Sequence, residues 1–243
     1  MVSKELARCI ARICGDGYLG KKYIRYANKN DELLKEFARD IKSCFDNVHL
    51  YWAIGNSGTP FIQLNRKKIC SYFTEILPSY TSSKIEIPDV IKKSNLAIKK
   101  EFLRAYFDDE GGANLRIYKK TKEWKRDIKI ASNSKKMLED IKLILSQDFG
   151  IITNKLFRSS TKTGNKIDRT YHLIITGKSN LIKFNELIGF KSKYKDKELN
   201  LAISSYGKTH HRNPEGFHTT YRALLLVRAG RNYQNNKLYK SIL

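Results

Sequence analysis

Apolar positions along this chain recur in two periods, and they do so twice in the same order. From Ser3 or Lys4 to Gly15, residues Leu6, Ala7, Ile10, Ile13 and Cys14 fall on one face of a 3.6-residue period, which predicts a helix. Tyr18 to Ala27 then alternates aromatic or aliphatic with basic residues, the pattern of two short strands. Asp31 opens a helix running to about Phe45 on Leu33, Leu34, Phe37 and Ile41. Val48–Ile54 and Pro60–Leu64 read as a hairpin around Gly55-Asn56-Ser57-Gly58-Thr59, and a helix from Lys67 to Ile76 ends before Pro78. After a linker through Pro88 the order starts again. A helical run around Leu103–Glu110 precedes strands at Asn114–Tyr118 and Trp124–Ala131 and a helix at Lys135–Phe149. Strands at Ile151–Arg158 and Asp168–Ile175 and a helix near Asn180–Ile188 complete it.

Aligning Ala27 with Ala131 carries Leu33, Leu34, Phe37 and Ile41 onto Met137, Leu138, Ile141 and Leu145. The expected fold is therefore α+β: two pseudo-symmetric αββαββα repeats, each with an antiparallel sheet. Residues 1–78 form the first repeat, 79–93 a linker, 94–204 the second repeat and 205–243 a basic extension. That extension holds Lys208, Arg212, Arg222, Arg228, Arg231, Lys237 and Lys240 against Glu215, and reads as a phosphate-binding arm or a solvated tail.

Each repeat opens on nearly the same nine residues, Cys9-Ile10-Ala11-Arg12-Ile13-Cys14-Gly15-Asp16-Gly17 and Leu103-Arg104-Ala105-Tyr106-Phe107-Asp108-Asp109-Glu110-Gly111. Asp16 and Glu110 come at the negative end of a helix dipole, where a carboxylate is disfavoured by a few tenths up to about 1 kcal/mol. A purely structural choice would be Lys or Arg. The repeated acid asks for a cation, and a divalent metal supplies one. Gly17 and Gly111 read as helix stops in the left-handed conformation. Ala11, Gly15 and Ala105 leave a narrow stripe on which the two helices could cross, bringing the acids side by side.

Charge adds a partner to this picture. Lys and Arg number 47 against 24 Asp and Glu, a formal charge of +23, which favours a polyanion such as nucleic acid. Period-two alternation offers Lys22, Arg25, Gln63, Arg116, Lys129, Arg158 and Arg169 to base edges and phosphates on exposed sheet faces. Cys9, Cys14, Cys44 and Cys70 lack zinc-ligand spacing and read as buried thiols in a reducing compartment. Neither a signal peptide nor a membrane span is seen, so a cytoplasmic location without membrane contact is expected. His49, His172, His210, His211 and His218 are scattered, and no G-x-S-x-G, P-loop or H-E-x-x-H occurs.

The paired nonapeptides resemble the LAGLIDADG motif, and two copies in one chain resemble the monomeric LAGLIDADG homing endonucleases. Asp16 and Glu110 match the acid before the final Gly. Asp108 keeps the acid usual at position six where Cys14 departs, and Gly15 keeps the small residue usual at position seven where Asp109 departs. The resemblance implies two saddle-shaped sheets straddling a long double-stranded DNA site, with the motif helices over the minor groove. It implies Mg²⁺ or Mn²⁺ held at Asp16 and Glu110, with Gly15 and Asp109 beside them, and site-specific hydrolysis of both strands by an intron-encoded monomer. By position, Asn28, followed by Lys29, matches the family's polar residue in the first half, and Asn133 in the second, or Ser132 if the register slips by one. The family's basic residue resembles Lys193, with Lys84 as its counterpart. An RNA-binding maturase acting on its host intron, or an inactive DNA-binding regulator, are the alternatives on the same scaffold.

Overall fold

A computed structural model describes residues 2–117, 123–163, 166–207 and 223–227. The first repeat runs α1 (Lys4–Cys14), β1 (Gly17–Leu19), β2 (Ile24–Ala27), α2 (Asp31–Cys44), β3 (Tyr51–Ile54), β4 (Pro60–Leu64) and α3 (Lys67–Ile76). A one-turn α4 (Asp89–Lys92) leads into α5 (Leu96–Glu110), β5 (Gly111–Ile117), β6 (Trp124–Ser132) and α6 (Lys135–Phe149). The chain continues through β7 (Phe157–Thr163), β8 (Lys166–Thr176), α7 (Lys178–Leu187) and α8 (Lys193–Ser204). Polar residues start the long helices: Ser3, Asn30, Asn95 and Ser134 accept hydrogen bonds from the amides of Leu6, Glu32, Ile98 and Met137. Each such cap is worth about 1 kcal/mol.

Two antiparallel four-stranded sheets share one topology, β1-β2-β4-β3 and β5-β6-β8-β7. Their inner pairs are in equivalent register, Gly17 opposite Tyr26 and Gly111 opposite Ile130. Each sheet buries one face, through Ile24, Tyr26, Ile62 and Leu64 in the first and Leu115, Ile128, Ile130, Leu173 and Ile175 in the second. The other face is open, as alternation requires. At the centre α1 packs on α5 through Ala7, Ile10, Ala11, Leu103 and Ala105, all fully buried, so one continuous apolar core joins both repeats. Among the described residues no helix is long and apolar enough to cross a membrane.

The structure departs from the sequence reading in several places. Gly17 and Gly111 are not left-handed. Instead they are required by space: a Cβ at Gly17 would meet the Ile13 Cα at 2.5 Å, and one at Gly111 would meet the Phe107 ring at 2.7 Å. The strand expected at Ile151–Arg158 runs at Phe157–Thr163. The apolar signal of Ile151 belongs to the end of α6, where Gly150 is left-handed (φ 60°) and the Ile151 amide closes on the Leu145 carbonyl at 2.8 Å. Strand β5 begins at Gly111, three residues before Asn114. Lys193 opens a helix, α8, that the periodicity did not announce. The basic residues singled out beyond position 207 lie outside the described residues.

Candidate active site

Helix α1 ends at Cys14, where the Gly15 amide bonds Ala11, and Asp16 follows at the surface with its carboxylate beside packed protein. Asn28, just past β2, donates its amide to Asp16 Oδ2 at 2.9 Å. Glu110 is the last residue of α5 and half-buried. Burial, and next the negative charge of Asp16, push the Glu110 carboxyl up to about 7. Loss of water also raises Asp16, against the pull of Lys195, Arg12 and the Asn28 amide. A carboxyl kept protonated by burial and by a neighbouring carboxylate is poised to exchange its proton for a cation.

Behind them, Arg12 is fully buried and ties the repeats together. Its guanidinium donates to Asp109 Oδ1 at 2.6 Å, Glu36 Oε2 at 2.8 Å and the Tyr26 hydroxyl oxygen at 3.0 Å, and lies 3.9 Å from Asp108. Tyr26 in turn donates to Asp109 Oδ1 at 2.7 Å. The second Asp109 oxygen is buried without a partner among the described residues, against Gly15, whose added Cβ would approach it to 2.9 Å. Burial raises the Asp109 carboxyl to about 7, with Arg12 opposing and Asp16 adding to the rise. The Asp109 side chain is thus engaged at the helix crossing, and the Asn28 amide that bonds Asp16 also reaches its Oδ1 at 3.4 Å. Arg8 extends the lattice, bonding Asp40 and Glu101 at 2.7 Å each.

Asp108 and Lys195 lock α8 against the end of α5. The Asp108 carboxylate accepts from the amides of Lys191 and Ser192 at 3.0 to 3.1 Å, at the start of α8. Returning from the first turn of α8, the buried Lys195 ammonium donates to the carbonyls of Phe107, Asp108 and Gly111. Three carbonyls at a helix C-terminus gather around one cation, as the dipole favours. Lys195 also pulls down the pKa of both Asp16 and Glu110. Lys193, singled out by sequence position, is exposed and pairs with Glu32 at 2.5 Å. The alternatives lie two residues apart, on nearly opposite faces of α8, and a sequence crowded with Lys carries no mark of which one turns inward.

The matched strand registers put Ser132 at the position of Asn28, not Asn133. Ser132 is buried and accepts from the Tyr106 hydroxyl at 3.4 Å, whereas Asn133 is exposed and bonds Thr170 at 3.3 Å. Asn133, Lys84 and Arg169 instead line one open cavity of about 700 Å³ at the start of α6. Lys29 is exposed in the turn after Asn28, and Lys22 in the turn between β1 and β2.

Cross-strand pairing sorts the remaining sheet residues. Arg25 pairs with Gln63 on the open face of the first sheet. Arg116 and Lys129 share the open face of the second, with Phe157 beneath Lys129 at 5.9 Å from its ring centroid. Arg158 opposes Tyr171, which opposes Ser132, so Arg158 falls on the face that carries Ile128 and Ile130. Arg169 follows the same parity. The side chains of Arg158 and Arg169 are nonetheless exposed, as the sequence reading expected.

A family model described as a LAGLIDADG-like domain matches residues 97–189. The replication factor C small subunit of Methanocaldococcus jannaschii is 32% identical over 200 residues, 81% of this chain and 10% of that protein. The probable translation initiation factor IF-2 of the same organism is 31% identical over 149 residues, 60% of this chain and 12% of that protein. The chain thus spans about a tenth of the length of these curated relatives. The crystal structure of I-DmoI in complex with DNA and Mn shares the fold at a TM-score of 0.53 and 17% identity, covering 76% of this chain and 96% of that one. With its two acid-tipped motif helices crossing between twin four-stranded sheets, the chain belongs to the LAGLIDADG family.

Proposed function

We propose that this chain is a metal-dependent endonuclease that hydrolyses both strands of a long double-stranded DNA site. The observation that carries the reading is the pairing of Asp16 and Glu110 at equivalent ends of the crossing helices, with Glu110 raised to about 7 by burial and by Asp16. The donor set fits Mg²⁺ or Mn²⁺: no cluster of three or more ligating side chains occurs among the described residues, and such ions need only one or two carboxylates, completed by water and phosphate oxygens. Asp16 and Glu110 would hold them, with the main-chain carbonyls of Gly15 and Asp109 alongside. When bound, such ions supply a water nucleophile and offset charge on the phosphate.

The chain's own residues do the rest. Asn28 fixes the Asp16 carboxylate. Lys195 places a positive charge close enough to act on both acids, able to stabilise charge that builds on a phosphate there. Arg12 holds Asp109 away from the reaction. The open sheet faces, with Arg25, Arg116 and Lys129, lie along the groove, while loop lysines 22 and 29 meet phosphates. Both halves reside in one chain, so a monomer suffices. I-DmoI was crystallised with DNA and Mn, which supports the same ligands here. The matched stretch is a small part of two proteins with unrelated names, which supports a portable unit of a mobile element.

The test is selection of bound duplexes from a random library in Ca²⁺, followed by Mg²⁺. Discrete double-strand cuts within one long recurring sequence are expected, with Asp16→Asn and Glu110→Gln binding but not cutting. Specific binding without cutting by the unaltered protein would leave a DNA-binding regulator, and no enrichment would direct the search to structured RNA.

A further inference from the structure

One row of side chains crosses the open face of the first sheet from edge to edge: Tyr18, Arg25, Gln63 and Tyr51, each directly opposite the next. Arg25 is the one cation in it, and it is held. Its Nε and Nη2 both donate to Gln63 Oε1, at 3.0 and 2.7 Å. Its guanidinium carbon stands 4.3 Å from the Phe61 ring centroid and 5.4 Å from that of Tyr23. Gln63 is held in turn, its amide donating to Asn65 Oδ1 at 2.8 Å. No carboxylate pairs with Arg25 among the described residues, and its Nη1 has no partner there.

These bonds decide what each residue can read. Gln63 recognises adenine only by offering its oxygen and its amide together. Here the oxygen already accepts twice from Arg25 and the amide is turned to Asn65. Arg25 keeps the outer edge of its guanidinium, Nη1 together with the second hydrogen of Nη2, as two parallel donors. In the major groove only guanine shows two acceptors, O6 and N7, at matching spacing; adenine pairs an acceptor with a donor, thymine shows one acceptor and cytosine a donor. Because the fork is fixed before binding, little side-chain freedom remains to be lost.

We propose that Arg25 reads one guanine in the half of the target under the first sheet, and that Gln63 is its positioning residue and not itself a base reader. The inference rests on the DNA-binding reading above. Its test repeats the duplex selection with the full chain in Ca²⁺ and compares base preferences position by position. The unaltered protein enriches a site with a G·C pair in one half, favoured roughly ten- to a hundred-fold over other pairs. Arg25→Ala loses that preference and keeps the rest. Arg25→Lys, which retains the charge and guards against a folding defect, loses it too, since an ammonium has no fork. Gln63→Leu weakens preference at the same guanine and nowhere else. Gln63→Glu keeps the acceptor and restores it, at lower total affinity. A guanine preference that survives in Arg25→Lys and Arg25→Ala overturns the assignment. Preference lost at a different base pair in Gln63→Leu overturns the positioning role. An unaltered protein that enriches no sequence removes the DNA-binding reading itself, an outcome distinct from both.

Discussion

Replacing Arg12 by Met removes the charge at the helix crossing while keeping most of the side chain's volume. Arg12 is wholly buried and serves Asp109 at 2.6 Å and Glu36 at 2.8 Å, with Tyr26 at 3.0 Å. Removing one partner of a buried pair leaves the others uncompensated and costs about 3–5 kcal/mol. For a chain of this size, at about 2–4 °C per kcal/mol, the melting temperature should fall by about 6–20 °C. The loss depends on pH with a definite sign. Asp109 titrates near 7 in the folded chain against a usual 3.8, so the stability from its protonated form is full below 3.8 and is lost as pH climbs to 7. Without Arg12 the folded value rises further. Through about pH 4 to 7 the two proteins lose this stability in step, so the deficit of Arg12→Met grows above about pH 7, where only the variant still titrates, and is smallest in acid. Chemical denaturation of both proteins across this range measures it. Arg12→Met with Asp109→Ala should recover part of the loss, Glu36 retaining Arg104 at 3.3 Å. A deficit under about 1 kcal/mol at every pH, the value of an exposed pair, would refute the reasoning.

Gly15→Ala pushes a methyl group to 2.9 Å from Asp109 Cβ and should cost about 1–3 kcal/mol, read by denaturant midpoint; a loss within error would mean the crossing has slack. Lys195→Met should cut the cleavage rate at least about 100-fold with DNA affinity little changed, whereas Lys193→Gln, losing only an exposed pair to Glu32, should change neither rate nor stability by more than about 0.5 kcal/mol. Equal effects of the two would undo the assignment of Lys195. Glu110 is raised from 4.5 to about 7, so its protonated form stabilises the metal-free chain fully below 4.5, and that stability is lost as pH approaches 7. The rise in melting temperature on adding Mn²⁺ should thus be small at pH 5.5 and reach its full size above about 7.5; an increment independent of pH would place the ion elsewhere.

The repeat, the strand order and the two acids were legible because each rests on a periodicity or on a residue in the wrong electrostatic place. Asp16 and Glu110 stand out by occupying the end of a helix where a carboxylate is unwelcome. Asn28 was singled out only through the family resemblance, by its position just past β2; its bond to Asp16 comes from the structure. Lys195 was not, because its role comes from α8 folding back on α5, a contact across 84 residues that leaves no local pattern. Arg12 was not singled out in the sequence, because its partners Glu36 and Asp109 belong to two other helices and only the packing of all three brings them together. Arg158 and Arg169 are exposed as expected, but Ile151 drew the expected bounds of β7 toward the end of α6, so the face that Arg158 shares could not be read.

The lattice around Arg12 has a consequence for which halves can associate. Arg12 belongs to the first repeat and Asp109 to the second, and the position equivalent to Asp109 in the first repeat is Gly15. Two copies of the first repeat, paired with one another, would seal two guanidiniums into the crossing and give each a glycine where it needs a carboxylate. Two copies of the second would bring Asp109 against Asp109, two buried acids with Tyr106 in place of the missing arginine. Like therefore repels like on both sides, while the unlike pair is neutralised. Charge complementarity of this kind excludes wrong partners as strongly as it selects the right one. Each half presents the charge that the other lacks, so the electrostatics of the crossing favour the unlike pair over either like one.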